Sequence, residues 1–190
     1  MTLPNKLTIS RLFLTVAFLI VFFAQFRYSA TWALLLFCLA GLTDWLDGWL
    51  ARRAGSITSF GELMDPLADK ILICSAFIAF VERGLMPAWM VVIIVGREFA
   101  ITGLRLLAAS KQVVLAAEGY GKHKTIWQTV AIIALLILVA HPEWGAWGDF
   151  FFDGWIHRFA AIAEWVAVVL TVLSGAVYLS RNRGIYSDDC

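Results

Sequence analysis

Four aspartates lie close together in the segment DWLDGWLARRAGSITSFGELMDPLAD, which covers residues 44–69. Asp44 and Asp47 are three residues apart, and Asp65 and Asp69 are four apart, so each pair occupies one face of a helix. Carboxylate oxygens are the ligands that hard cations such as Mg²⁺ or Mn²⁺ prefer, and two ions about 3.5–4 Å apart can share a carboxylate. The spacing therefore predicts a divalent-metal site between two helices.

Small residues and an arginine accompany these aspartates. Gly48 and Gly61 lack a Cβ, so a phosphate or a nucleotide can approach the backbone there. Gly48 and Ala51 equally suit close packing of helices in a membrane. Arg52 follows Gly48 by one helical turn and can bind a phosphate through two N–H groups. The combination favours metal-assisted chemistry on a phosphate over simple salt bridges to the neighbouring cations Arg52, Arg53, Lys70 and Arg97.

The chain around the aspartates is too apolar for a small soluble protein. Of its 190 residues 61% are hydrophobic and 15% are charged, and a membrane span needs about 20 apolar residues. We therefore predict an all-α polytopic membrane protein, a six-transmembrane-helix bundle that forms one domain over residues 1–190. The six predicted helices are Ile9–Phe26, Thr31–Arg52, Asp65–Val81, Pro87–Ala109, Thr125–Ala140 and Phe159–Ser180.

The second and third predicted helices must position the aspartates. Only the short segment 54–60 connects them, so they are expected to be antiparallel neighbours that present all four carboxylates to one volume. Pro66 suits the first turn of a helix, and Asp65 is accordingly expected to cap the third helix. Placing a charged side chain inside a membrane-spanning helix costs about 2.5 kcal/mol or more. The aspartates are therefore expected to serve a function there.

Lysine and arginine are distributed unevenly between the two sides of a six-span arrangement. Three arginines lie on one side, Arg27, Arg83 and Arg158, and the other side holds Lys6, Arg11, Arg52, Arg53, Lys111, Lys122, Lys124, Arg181 and Arg183. Because cytoplasmic loops are enriched in these residues, both termini and the active site are expected at the cytoplasmic face. The first helix is expected to remain uncleaved. The aromatic loop 141–159 would then be an interfacial segment on the opposite side.

Cysteines and histidines are given no catalytic role. Cys38 and Cys74 lie in predicted helices and are expected to fill space in the core. The three histidines, His123, His141 and His157, are expected to form no metal-binding cluster. A formal net charge of +1 gives no reason to expect a nucleic-acid partner.

The aspartate pattern, with its glycines and Arg52, resembles the signature of the CDP-alcohol phosphatidyltransferase family. The matching positions are Asp44, Asp47, Gly48, Ala51, Arg52, Gly61, Asp65 and Asp69. The resemblance implies a six-helix membrane bundle, a homodimer, and two Mg²⁺ or Mn²⁺ ions bound by Asp44, Asp47, Asp65 and Asp69. These ions would hold the pyrophosphate of a CDP-linked substrate, and Asp69 would also be the catalytic base.

Segments outside the signature are similar to bacterial phosphatidylglycerophosphate synthases. PNKLTISR, GREFAITGLR and YGKHKTIWQ carry this similarity, which implies transfer of a phosphatidyl group from CDP-diacylglycerol to glycerol 3-phosphate in the bacterial inner membrane. The donor would be bound by Gly48, Ala51, Arg52, Thr58, Gly61, Thr8 and Arg11. The acceptor phosphate would be bound by Arg97, Arg105, Lys122, Lys124 and Thr125.

Other interpretations of the same residues remain open. Glu98, Thr102 and Arg105 share a helix face, so Glu98 is expected to hold Arg105 in place, and the lysines equally fit cytoplasmic positive charge. Related enzymes use inositol phosphate, serine, phosphatidylglycerol, or diacylglycerol with choline. A small cation transporter is the alternative from another class, although it would place its acids near the bilayer midplane on broken helices.

Overall fold

The computed structural model describes the backbone of residues 3–54, 59–112 and 120–184, and the side chains of residues 9–43, 67–112 and 123–184. These ranges are helical almost throughout and contain no strand. The helices, in chain order, are α1 Leu3–Phe23, α2 Ser29–Ala54, α3 Ser59–Glu82, α4 Ala88–Ser110, α5 Tyr120–Ala140, the single turn α6 Ala146–Gly148, and α7 Ile156–Arg181. Each of the six predicted helices overlaps one of the long helices.

Helix α3 begins earlier than predicted. It starts at Ser59, so six helical residues precede Asp65, and both Asp65 and Pro66 lie inside the helix. The expected capping role of Asp65 is therefore wrong. Ser59 followed by Glu62 is a sequence signature of a helix start, and the proline signal at Pro66 obscured it. Because of the earlier start, Asp69 lies near the middle of α3.

The long helices pack around a core of aromatic and small residues. Helix α1 lies against both α2 and α3, α5 against α2, α3 and α7, and α4 against α3 and α7, whereas α2 and α3 touch each other only lightly. Ring pairs join the first three helices: Phe18 and Phe37 have centroids 5.9 Å apart, and Phe22 and Phe80 5.6 Å. Buried alanines such as Ala131 let the helix axes approach closely.

The outer faces of the bundle are apolar. Large hydrophobic side chains stand exposed on successive helices, for example Phe13 at 72%, Val92 at 69% and Phe99 at 69% of full exposure. Soluble monomers rarely present apolar surface this extensively. Two of the described helical segments, His123–Trp144 and Ile156–Arg181, are long and apolar enough to cross a bilayer. These properties are those of a membrane protein.

The connection between α5 and α7, residues 141–155, is here called the distal segment. It consists of a 3₁₀ turn His141–Trp144, then α6, then a π-helical turn Asp149–Asp153. The Glu143 carboxylate accepts hydrogen bonds of 2.9 Å from the backbone N–H groups of Ala30 and Thr31. Glu143 thus caps the start of α2 from 112 residues away in sequence, where a negative charge offsets the helix dipole.

The distal segment also contradicts one expectation about the histidines. Ligand atoms of His141, Asp153 and His157 all lie within 4.8 Å of one another. Two of the three histidines therefore do form a cluster with a carboxylate, because the turns of the distal segment fold residues 141 and 153 back against the start of α7. The aromatic rings of the segment, Trp147 and Phe150 among them, are exposed, which fits the predicted interfacial location.

Candidate functional site

Much of the predicted site lies outside the described side chains. Thr58 falls between α2 and α3 and is outside the described backbone as well. The other residues in this group are assigned to helices by their backbone alone: Thr8 to α1, Asp44, Asp47, Gly48, Ala51 and Arg52 to α2, Gly61 and Asp65 to α3, and Lys122 to α5. The convergence of the four carboxylates consequently stays a prediction.

Asp69 lies at the boundary between two cavities of opposite character. One is a groove of about 400 Å³ between α2, α3 and α5, with apolar walls that include Phe37, Leu72 and Ile133. The other is a small cavity lined by charged and polar side chains from α3, α4 and α5. Asp69 and Thr125 line both cavities. The polar cavity, at about 10 Å³, has room for about one water molecule, so Asp69 separates an open apolar groove from a nearly closed cluster of charged side chains.

A buried ion pair forms the far wall of the polar cavity. The Lys124 ammonium, on α5, contacts the Glu98 carboxylate, on α4, and the two residues are only 4% and 8% exposed. Arg97 Nη1 also contacts Glu98, at 3.1 Å. One carboxylate therefore serves two cations, and this arrangement holds α4 and α5 together next to Asp69.

Arg97 extends toward α7. Its Nη2 donates a hydrogen bond of 3.3 Å to Ser174 Oγ, and a Cβ at Gly175 would lie 3.0 Å from Arg97 Cγ. Glycine at position 175 thus leaves room for the Arg97 side chain between α4 and α7. Arg97 Nε is a buried donor for which no hydrogen-bond partner occurs among the described residues.

Arg105 does not contact Glu98, contrary to the expected pairing along α4. Its Nε donates to the Tyr178 hydroxyl at 3.2 Å, and its guanidinium lies 5.6 Å from the centre of that ring. Thr102, between them in sequence, accepts a hydrogen bond from the Lys70 ammonium. Glu98 is buried and contacts α5, whereas Arg105 is exposed and contacts α7. The two side chains therefore do not meet, although they lie on the same face of α4.

Among the described side chains, three cations, Lys70, Arg97 and Lys124, accompany two carboxylates, Asp69 and Glu98. With the three further aspartates that are predicted to converge here, carboxylates would outnumber cations, which favours binding of a divalent cation. The Asp69 carboxylate, with the three aspartates that the sequence assigns to α2 and α3, is an all-oxygen donor set that suits Mg²⁺ or Mn²⁺.

Several contacts of the site could not be found by local sequence patterns. The pairing of Glu98 with Lys124 spans 26 residues, and that of Arg105 with Tyr178 spans 73. Gln128 Nε2, on α5, donates a hydrogen bond of 3.0 Å to Thr171 Oγ1, on α7. A buried polar residue in an apolar helix signals that it has a partner, but not which one.

Arg11, one of the predicted donor contacts, is fully buried in α1. Thr15, one turn later, donates its hydroxyl hydrogen bond to the Arg11 carbonyl oxygen at 2.9 Å. A fully buried arginine in an apolar helix is costly unless it serves the structure or binds an anion. The position agrees with either role, so the donor contact stays a prediction.

Comparison with known proteins identifies the family. The profile of the CDP-alcohol phosphatidyltransferase family matches residues 1–173. A CDP-diacylglycerol–glycerol-3-phosphate 3-phosphatidyltransferase of Bacillus subtilis is 40% identical, covering 95% of this chain and 94% of the relative. The protein of the same name from Salmonella paratyphi A is 34% identical over 96% and 95% of the two chains. A "Probable phosphatidylglycerophosphate synthase" of Mycobacterium tuberculosis is 37% identical over 94% and 80%. With the profile matched over most of its length, this chain belongs to the CDP-alcohol phosphatidyltransferase family.

Proposed function

We propose that this protein transfers the phosphatidyl group of CDP-diacylglycerol to glycerol 3-phosphate, releasing CMP and forming phosphatidylglycerophosphate. The relatives that match nearly the whole chain are named for this reaction. The observation that carries the proposal is the position of Asp69 and Thr125, which line both the apolar groove and the polar cavity. A lipid-linked donor needs these two environments side by side.

The donor binds with its acyl chains in the groove between α2, α3 and α5. The walls of this groove are apolar, so chain burial there is favourable. The cytidine lies toward Gly48, Ala51 and Gly61, whose small side chains admit it, while Arg52 binds a phosphate. Thr8, Arg11 and Thr58 are further donor contacts in this proposal.

Asp44, Asp47, Asp65 and Asp69 hold the divalent ions in this proposal. Mg²⁺ or Mn²⁺ bound by these residues would neutralise the donor pyrophosphate and would stabilise the charge that develops on the transferring phosphorus. Asp69 takes the proton from the glycerol hydroxyl as that oxygen attacks phosphorus and CMP leaves. A metal-bound carboxylate is a weak base, so it accepts the proton only as the hydroxyl acidifies in the transition state.

The acceptor phosphate binds beside Asp69 at the edge of the polar cavity, where Thr125 contributes a hydroxyl. Arg97, on the adjoining turn of α4 and in contact with Glu98, is a further phosphate contact in this proposal. The positive charge of Lys124 is compensated by the Glu98 carboxylate. In this proposal Lys124 therefore contributes to the electrostatic potential of the cavity and holds α5 in position through the ion pair. Arg105 and Lys122 complete the set of proposed phosphate contacts near the same ends of α4 and α5.

The topology that accompanies this reaction is also a proposal. The six long helices would cross the bacterial inner membrane as a homodimer, with both termini and the site at the cytoplasmic side. Arg83 supports this orientation, because it contacts the Phe22 carbonyl at the end of α1 and so belongs to the opposite, arginine-poor side of the bundle.

The reaction is tested by supplying one acceptor at a time. Purified protein in mixed micelles with CDP-diacylglycerol and Mg²⁺ is expected to release CMP with glycerol 3-phosphate and not with serine or inositol phosphate. Release with another acceptor alone would contradict the assigned acceptor and keep the family chemistry. No release with any acceptor would contradict the enzymatic proposal and favour ion transport.

Filling the groove is expected to weaken donor binding selectively. Gly41 lines the groove, and a Cβ there meets no atom within 4 Å, so a phenylalanine side chain at position 41 can enter the groove. We expect Gly41→Phe to raise KM for CDP-diacylglycerol several-fold and to leave KM for glycerol 3-phosphate unchanged. Initial rates of CMP release at varied donor concentration measure this effect.

Gly96→Phe is the matched control for this variant. Gly96 is an exposed glycine of α4 with equally open space around its Cβ position, and it does not line the groove. The control is expected to keep the donor KM of the unmodified protein. Equal donor KM values in the two variants would mean that the acyl chains do not use this groove.

A further inference from the structure

The cluster of His141, Asp153 and His157 is distant from the Asp69 site. His141 directly follows the last residue of α5, whereas Lys124 lies near the first residue of that helix. Ala140 follows Lys124 by sixteen residues, a distance of about 24 Å along the helix. The cluster thus lies at the other end of the bundle, and it takes no part in the chemistry proposed at Asp69.

The three side chains come from separate turns that converge. His141 starts the 3₁₀ turn, Asp153 ends the π-helical turn, and His157 lies in the first turn of α7. Their ligand atoms lie within 4.8 Å of one another, a separation that an ion bound to all three could bridge. Two imidazoles and one carboxylate are a mixed nitrogen and oxygen donor set, which suits Zn²⁺ and related transition metals better than Mg²⁺.

The surroundings hold His141 in a fixed position. The residue is only 4% exposed, and its Nδ1 is buried without a hydrogen-bond partner in the described structure. A Cβ at Gly148 would lie 2.0 Å from the His141 carbonyl oxygen, so only glycine permits this close approach. Asp149 Oδ1 lies 3.7 Å from His141 Nδ1. This separation is too long for a hydrogen bond, so His141 Nδ1 remains a buried nitrogen without a partner among the described residues.

We propose that His141, Asp153 and His157 bind a transition-metal ion such as Zn²⁺ at the end of the bundle opposite Asp69. Asp153 and His157 are exposed, so the ion reaches the site from solution and a water molecule can complete its coordination. Binding links the end of α5 to the start of α7 through the distal segment.

The site is tested with protein that carries no affinity tag, in detergent and with excess Mg²⁺ present to occupy carboxylate sites. After equilibrium dialysis against Zn²⁺, elemental analysis is expected to find one more equivalent of zinc in the unmodified protein than in the Asp153→Asn/His157→Gln variant. Both replaced side chains are exposed, so the variant is expected to fold, which a monodisperse elution profile checks.

A spectroscopic measurement and a matched variant complete the test. Co²⁺ in place of Zn²⁺ is expected to give visible absorption bands in the unmodified protein and in His123→Gln, which removes the exposed histidine at the other end of α5. The bands should be absent from Asp153→Asn/His157→Gln. Equal zinc content in the unmodified protein and the double variant, or no Co²⁺ bands in either, would overturn the proposal. CMP release is not the readout, so this test is independent of the proposed reaction.

Discussion

Replacing Asp69 with asparagine is expected to lower the rate of CMP release at least about 10²-fold, because a positioned general base contributes about 10²–10⁴-fold. The side chain keeps its size and loses its charge, so the walls of both cavities that Asp69 lines are retained. The rate of CMP release from CDP-diacylglycerol with saturating glycerol 3-phosphate measures the effect.

The control for Asp69→Asn is Glu82→Gln, on the same helix. Glu82 is the exposed last residue of α3, thirteen residues or about 20 Å from Asp69 along the helix. The same chemical change there is expected to leave the rate within a factor of two of the unmodified protein, on the order of 0.4 kcal/mol in activation free energy. Comparable losses in the two variants would contradict a catalytic role for Asp69.

A metal titration separates the two roles proposed for Asp69. If the residue acts only as a metal ligand, raising the Mg²⁺ or Mn²⁺ concentration should restore much of the rate in Asp69→Asn. If it also accepts the proton, the rate at saturating metal should stay low. We expect the second result, because asparagine supplies a carbonyl oxygen to the ion but cannot act as a base.

Replacing Glu98 with glutamine is expected to destabilise the protein by about 3–5 kcal/mol, the usual cost of breaking a buried ion pair by removing one partner. The effect is large because Lys124 and Arg97 both contact this carboxylate and would be left as neighbouring buried cations. Denaturant titration in detergent micelles measures the free energy of unfolding. Glu82→Gln, on the surface, should change it by less than about 0.5 kcal/mol.

A second replacement tests whether the ion pair itself causes the loss. Lys124→Met removes the buried cation and retains an apolar side chain of similar length. The double variant Glu98→Gln/Lys124→Met is expected to lose less stability than the sum of the two single losses, with a coupling of about 0.5–3 kcal/mol. Strict additivity would show that Glu98 and Lys124 act independently, contrary to their contact in the structure.

The positions of the helices could be predicted from the sequence, because the hydrophobicity of a chain segment depends only on its own residues. Each predicted helix overlaps an observed one, and the family resemblance agrees with the profile match over residues 1–173. The start of α3 was misplaced by six residues because Pro66 favours a first turn but is also tolerated inside membrane helices, where it lies here. A boundary of this kind depends on side-chain caps and packing, which a proline alone does not determine.

The aspartate spacing by itself predicted a divalent-metal site, since residues three or four apart share a helix face whatever the tertiary fold, and the resemblance to the family implied the phosphatidyl transfer. Only the tertiary structure decided which charges meet: Glu98 contacts Lys124 instead of Arg105, and Glu143 caps a helix 112 residues away. It also brought His141 and His157 together with Asp153. Such contacts depend on which helix faces become neighbours, and that is set by packing of the whole bundle, which no local pattern records.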